Sequence, residues 1–507
     1  MIIATLSFNI VIVSPYELIN YFNIMKDSIA KGVSNLTLIL YSSGSGAMGV
    51  NGVIFGAWVL FFYNQVLGLS AVLASLAIGI SLIFDAISDP LVGAWSDRLK
   101  SKLGRRHPFI YLSIFPLALG FYFLFSEPVS LDQDYLFWRL LILVVLIRIS
   151  LTFYETPRAA LGPELTKDYD RRNFVNAWAY AIAIFGSIIL SFVMYKFFLV
   201  ETEDFKGDMA FLNPEAYEYL GIFAALLIVI FGLISSLSTH RFIPELHQPQ
   251  VKTTFSTKKL LEEILECFSN RSWLAMLISG CFYGLNIGIS SGVGTYINKY
   301  FWQWTPDVLA LFPLVTGIAT IFGAILATSL AKGREKRNVC ITVFSINILT
   351  SPIPYLLRLL DPYTELSLFP DNGSNLIWWI LISYTAIEDM LRAMGFVLVI
   401  SMIFDIVEDS QIKTGRRDEG IFMAGPGLIQ KVLSGLGIFI LGFVLQYIGF
   451  DPQTTNLQDE NIPINQLVIF QIIIQPLLTL AATFCLFFYT ISRNSHSGVV
   501  DELGYKN

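Results

Sequence analysis

Twelve unbroken apolar runs, each long enough to cross about 30 Å of hydrocarbon as a helix, occupy the chain between residues 36 and 492. Their limits are 36–67, 70–97, 109–126, 135–162, 173–199, 219–239, 272–301, 307–332, 338–357, 376–406, 420–449 and 464–492. Runs such as Leu220–Ile234 and Leu467–Phe488 do not alternate polar with apolar residues, as the strands of a lipid-embedded barrel would. In hydrocarbon each such segment must satisfy its own backbone hydrogen bonds, which leaves the helix. Composition agrees: 54% of the 507 residues are apolar and only 14% charged, whereas soluble domains are roughly 25% charged. The chain therefore reads as an all-α integral membrane protein with twelve transmembrane helices.

The stretch 240–271 is longer than the other connections and basic. It separates an N-terminal six-helix bundle, 36–239, from a C-terminal one, 272–492, with an extension at 1–35 and a tail at 493–507. Ile2–Val13 is apolar but too short to span, and has neither a positive n-region nor a small-residue cleavage signal. An upstream start with Met25 as the working initiator explains it as well as an interfacial anchor does, and 1–35 receives no function. Placing both termini in the cytoplasm puts 24 of the 33 Lys and Arg residues on that face and five on the other, which satisfies the positive-inside rule. The expected location is the plasma membrane, the inner membrane in a bacterium. Trp138, Trp302, Trp304, Trp378 and Trp379 fall at outer span ends and read as interface anchors. Cys281, Cys340 and Cys485 lie in apolar runs and Cys267 in the basic centre, so no disulfide is expected. All four histidines fall in polar segments, which argues against a zinc site or a buried His relay. There is no phosphate-binding loop and no nucleophile–base or metal-ligand set. An ATP-driven pump, an enzyme, a bound cofactor and a nucleic-acid partner are thus not expected; a monomer with a small-molecule substrate in a lipid bilayer is.

An ionisable group inside a span costs on the order of 2.5–3.5 kcal/mol on insertion scales, so each needs a reason. Span two carries Asp85, Ser88 and Asp89 on one helix face, at i, i+3 and i+4. Two such carboxylates cannot both stay ionised without a counter-charge. A bound cation meets that need; so does a proton held by one carboxyl, or an ion pair with a basic residue elsewhere. Span four carries Thr152 and Glu155 on adjoining positions, with Pro157 set to free the carbonyl of Phe153. Arg158 is i+3 from Glu155, so a plain internal ion pair competes with a binding role. Lys431 stands alone in mid-span eleven and can pair with Asp85, Asp89 or Glu155 across the interface between halves. In span ten Glu388 and Arg392, at i and i+4, read as a structural pair, which leaves Asp389 unexplained.

The loop between spans two and three runs Asp89-Pro90-x-x-Gly93-x-x-x-Asp97-Arg98, then Gly104-Arg105-Arg106-x-Pro108. The loop between spans ten and eleven runs from Asp405 through Lys413-Thr414-Gly415-x-Arg417-x-Glu419-Gly420. In twelve spans split into two sixes, this pair of signatures resembles the major facilitator superfamily. Within it, the pair resembles the glycoside–pentoside–hexuronide:cation symporter family, typified by melibiose permease. The resemblance covers about residues 36–492. It implies a cation site at Asp85, Asp89 and Thr152, with Ser88 in place of an asparagine. Glu155 replaces an aspartate that serves both sugar and cation, and Lys431 matches a span-eleven lysine. The sugar contacts are not retained: Gly49, Ala159 and Ala179 stand where the permease has an aspartate, a tryptophan and an arginine. A galactoside is therefore not implied.

The expectation is a secondary transporter with the major facilitator fold, coupling transported Na⁺ or H⁺ to symport of a polar, sugar or glycoside-like solute. Asp85, Ser88, Asp89, Thr152 and Glu155 would hold the cation. Glu155, Arg158, Lys431, Asn51 and Trp178 would face the substrate. Gly93, Asp97, Arg98, Gly104, Arg105, Arg106, Asp405, Lys413, Arg417 and Glu419 would gate the cytoplasmic side. The alternative is a lipid or amphipath symporter of the same fold, with a lateral opening and a mostly apolar lining. A receptor or scaffold would need none of the intramembrane acids.

Overall fold

The computed structural model describes residues 32–166, 168–246, 270–363, 369–414, 419–450, 464–493 and 495, of which 169, 170, 413, 414 and 419–428 are described in backbone alone. Twelve helices are long and apolar enough to cross a membrane: α1 Asn35–Val66, α2 Ala71–Arg98, α3 His107–Phe125, α4 Gln133–Leu165, α5 Arg171–Phe198, α6 Pro214–His240, α7 Arg271–Phe301, α8 Pro306–Ala331, α9 Lys336–Tyr363, α10 Asn375–Ile412, α11 Ile429–Tyr447 and α12 Ile464–Phe488. Polar residues start several of them. The side chains of Ser34, Asp168, Asn213 and Asn270 each accept from a backbone N–H in the first turn, of Thr37, Arg171, Glu215 and Trp273 respectively, satisfying donors that have no partner within the helix. Much of the apolar surface faces outward, where lipid replaces water. Ile83, Phe84, Ile87 and Leu91 form one such stripe on α2.

Lipid supplies no hydrophobic drive between helices, so close backbone packing carries the association. A Cβ on Gly49 would lie 1.9 Å from the Ala183 carbonyl oxygen, and one on Gly288 2.0 Å from that of Ser434. These contacts seat α1 on α5 and α7 on α11. In the first half α3 packs on α4 and α6, α2 on α4, and α1 on α5 and α6; in the second, α7 packs on α11 and α12, α8 on α10, and α9 on α10 and α12. The six-helix halves meet along α2 with α11, α5 with α8, and α1 with α7.

Bonds that cross between the halves cluster where α1 and α7 end. Tyr296 donates to Asn64 Oδ1 at 2.8 Å, Tyr300 to Gln65 Oε1 at 2.6 Å and Thr295 to the Ala57 carbonyl at 2.9 Å. Lys299, 1% exposed, lays its Nζ 3.1 Å from Asp208 Oδ2. At the opposite end the charged pairs among the described residues, Arg105 and Arg106 with Glu164 and Asp97, and Lys336 with Asp405, stay within a half.

Three expectations change. Arg392 pairs with Asp389 at 2.7 Å, not with Glu388. Glu388 is buried and turned to α9, where Asn347 and Thr350 donate to it; the i+3 partner was the one left on the arginine's face. His107 is enclosed at the start of α3, its Nε2 3.0 Å from Thr239 Oγ1, because helix–helix packing covers a residue that the loop composition left exposed. Trp302 and Trp304 are buried with Phe301, Tyr355 and Phe369, while Trp138 and Trp379 remain exposed as anchors do.

Candidate functional site

The site lies at mid-depth on the α2–α11 seam. Asp85 and Asp89 share one face of α2, and Lys431 reaches them from the other half: its Nζ is 2.6 Å from Asp89 Oδ2 and 3.1 Å from Asp85 Oδ2. The two helices can come this close because glycines of α11 face α2: a Cβ on Gly442 would lie 1.8 Å from Ser75 Oγ and 2.7 Å from the Ala71 carbonyl oxygen, and one on Gly435 3.0 Å from Leu82 Cδ1. Hydroxyls of α4 take the remaining carboxylate oxygens. Thr152 donates to Asp85 Oδ1 at 3.2 Å, and Thr156 to Asp89 Oδ1 at 3.4 Å. Ser88 Oγ lies 2.8 Å from Thr152 Oγ1 and donates to the Asp85 carbonyl at 3.1 Å. Asp85 is buried, whereas the Asp89 side chain is 29% exposed and that of Lys431 43%. One carboxylate is therefore sequestered, and the other, with its ammonium partner, faces open space.

Glu155 is not brought to this cluster. Both of its oxygens are held by Arg158, which donates from Nε at 2.9 Å and from Nη2 at 2.8 Å. Arg158 also reaches Ser45 Oγ at 2.9 Å. A break in α1 at Ser43–Gly44 makes this contact possible: a Cβ on Gly44 would sit 2.5 Å from the Tyr154 hydroxyl and 2.8 Å from Arg158 Cδ. The planar fork of a guanidinium fits a carboxylate at i−3 better than a distant one does. Asn51 is buried with Oδ1 unpartnered. Trp178 is 39% exposed and rests edge-on against Phe174. Gly49 points into the backbone of α5, so its position offers a solute nothing.

The residues expected to gate form two separate networks. Arg105 and Arg106 converge on Glu164 at the end of α4, at 2.5 and 2.6 Å, and reach Asp97 at 3.6 and 3.4 Å. Burial pulls the Arg106 guanidinium below its ordinary pKa, against the opposing pull of Glu164. Gly104 takes a positive φ of 75° that lets the loop turn. Gly93 lets α2 approach Thr156, and Arg98 closes α2. In the second half Lys336 bonds both oxygens of Asp405 at 2.6 and 2.9 Å. The first network ties a loop to α2 and α4, and the second ties α9 to α10. The side chains of Lys413 and Glu419, and Arg417 altogether, lie outside the described residues, as do 1–31 and 247–269. Sequence reasoning missed Thr156, Glu164, Ser45 and the Lys299–Asp208 pair. A Pro-Glu step at a span end was the available signal for Glu164; the sequence separation of 91 between Lys299 and Asp208 left none for that pair.

Comparison with known proteins follows the same lines. An uncharacterised symporter of Synechocystis is 24% identical over 92% of this chain and 96% of its own length. A putative glycoside/cation symporter of Escherichia coli is 23% identical over 78% of this chain and 79% of its own. Among solved structures, a D-xylose-proton symporter superposes with a TM-score of 0.61 at 12% identity, covering 90% of this chain and 98% of its own. The inward-open xylose transporter of Escherichia coli gives 0.58, also at 12%, covering 93% and 100%. The family model described as MFS/sugar transport protein matches residues 40–493, all twelve helices but for the first five residues of α1. With relatives named as symporters and a family model matching nearly its whole length, this bundle of two six-helix halves is a solute transporter, and the chain belongs to the MFS/sugar transport family.

Proposed function

We propose that this transporter couples Na⁺ or H⁺ to the symport of a polar, sugar-like solute. The observation that carries the reading is the meeting of Asp85 and Asp89 on one ammonium supplied by the other half. Two carboxylates one helical turn apart in hydrocarbon require a counter-charge, and here that charge is removable. A small hard cation prefers oxygen ligands, and Ser88 and Thr152 stand beside Asp85 to complete its shell. A cation or proton taking Asp89 displaces Lys431 and loosens the α2–α11 seam. Binding is thereby linked to rocking of 36–239 against 272–492.

By the positive-inside rule, the end bearing Arg105, Arg106 and Lys336 is cytoplasmic, as are both termini, in the plasma (bacterial inner) membrane; the protein works as a monomer. The Tyr296–Asn64 and Lys299–Asp208 contacts between the halves then lie at the outer end. Asn51, Glu155, Arg158, Trp178 and the released Lys431 form the solute's surroundings. Relatives named as a glycoside/cation symporter and a lactose permease favour a polyol.

The test is solute binding against Na⁺ and against pH in the wild type, Asp85→Asn and Asp89→Asn. Na⁺ dependence lost in both variants supports a sodium site, and dependence on pH alone assigns a proton. Full cation dependence in both variants refutes the site.

A further inference from the structure

Between the loop that joins α2 to α3 and the turn that follows α6 lies a cavity of about 420 Å³. It sits at the basic end of the first half, beyond the last turn of α2 and away from the α2–α11 seam. Lys100, Lys102, Arg105 and Arg106 line it, and Glu164 is the one acid in its walls. The loop folds over the turn because Gly104 holds a φ of 75° and packs on Ile243; a Cβ there would lie 3.2 Å from Ile243 Cγ2. Leu99, Ile243 and Leu246 add an apolar floor.

The neighbouring acids do not satisfy these cations. Arg106 is 6% exposed and spends Nη2 on Glu164 at 2.6 Å and Asp97 at 3.4 Å, while its Nε and Nη1 are enclosed without an acceptor, as is Arg105 Nε. Lys100 and Lys102 are exposed and, among the described residues, pair with no acid. With Asp97 included, four cations face two acids, which leaves an excess of two positive charges. The corresponding place in the second half is a control. There a cavity of about 180 Å³ at the start of α9 has Lys336 spent on both oxygens of Asp405, Arg337 donating to the Tyr489 carbonyl, and Glu335 accepting from the backbone N–H of Arg493. Basic residues gather at this end of both halves, as topology requires; among the described residues, enclosed donors are left open in the first.

An enclosed guanidinium donor without an acceptor is costly. Two arginine forks and two ammoniums on one cavity match a phosphate, whose oxygens are numerous and whose monoester carries about −1.5 to −2 charge at pH 7. A carboxylate would bring one charge and two oxygens to an excess of two. A basic rim over an apolar floor at headgroup depth further suits a phosphate borne by a lipid.

We propose that this cavity binds a phosphomonoester group, Arg105 and Arg106 offering the donors that Glu164 leaves open and Lys100 and Lys102 closing on it from the loop. The apolar floor favours the headgroup of an anionic lipid over a free phosphate as its source. The site is separate from the α2–α11 seam and does not rest on the reading of Asp85 and Asp89.

The test is binding of dioleoyl phosphatidic acid and dioleoyl phosphatidylcholine to the purified full-length protein in detergent, read by native mass spectrometry, with glycerol 3-phosphate and inorganic phosphate as soluble competitors. Phosphatidic acid should bind about tenfold tighter than phosphatidylcholine. The double variant Lys100→Gln with Lys102→Gln, at exposed positions that carry no packing, should lose most of that margin, and Arg105→Gln should lower it too. Arg334→Gln, which removes a basic residue lining the second-half cavity, should keep it. Displacement by glycerol 3-phosphate or inorganic phosphate would make a free phosphate the occupant, and resistance to both would make it the lipid; either supports a phosphate site. No margin over phosphatidylcholine in the wild type overturns the proposal, as does a margin that the lysine and Arg105 variants keep in full. A margin lost equally in Arg334→Gln also overturns it, for the attraction would then belong to the basic face at large.

Discussion

Removing the charge of Asp208 should shift the balance between the two ends of the transporter. Asp208 belongs to the first half and Lys299 to the second, so their contact exists only while the halves touch at the end where α1 and α7 finish. Lys299 Nζ has the Asp208 carboxylate at 3.1 Å, the Asp208 carbonyl oxygen at 3.3 Å and the face of Tyr300 at 4.7 Å. Breaking a fully buried pair costs about 3–5 kcal/mol. The Asp208 side chain is 40% exposed and the carbonyl survives in Asp208→Asn, so the loss should fall nearer 1–3 kcal/mol. When the halves separate at that end, both groups regain water and the loss vanishes. The whole effect therefore appears as a shift in conformational equilibrium of roughly 5–150-fold. Spin labels at Leu131 and Tyr363, exposed positions on the two halves, report the separation as a distance distribution. In Asp208→Asn and Lys299→Met the longer-distance population should grow. If the melting temperature falls while the distribution stays unchanged in both variants, the pair stabilises the fold and latches nothing.

Two further outcomes follow from the site. Lys431→Ala removes the competitor for Asp85 and Asp89, so cation affinity measured by calorimetry should rise by about tenfold while the cation-free protein melts earlier; unchanged affinity would make Lys431 purely structural. Gly49→Asp, which restores the acid of the related permease, should abolish monodisperse protein on gel filtration rather than confer galactoside binding, since a Cβ there would lie 1.9 Å from a backbone oxygen of α5; a well-folded variant would show that the α1–α5 contact yields easily.

The twelve spans and their helical nature were legible in the residues alone, because hydrocarbon forces every segment to satisfy its own backbone. The important intramembrane charges were legible for a related reason: Asp85, Asp89 and Lys431 cost too much in lipid to be incidental. Helical spacing also placed Asp85, Ser88 and Asp89 on one face before any neighbour was known. Spacing could not choose among partners that it placed equally well. Glu155 had both Arg158 and Lys431 as partners, and Arg392 had both Glu388 and Asp389. The outcome lay with neighbouring helices: Ser45 presented to Arg158 at the break in α1, and Asn347 and Thr350 drawing Glu388 away. Lys299 with Asp208, Trp302 and Trp304 in an aromatic core, and Arg106 enclosed with donors left open depend on segments distant in the chain. Local sequence determines which groups a helix carries and on which face; only the packing of one helix on another determines which of those groups are paired and which remain open to a ligand.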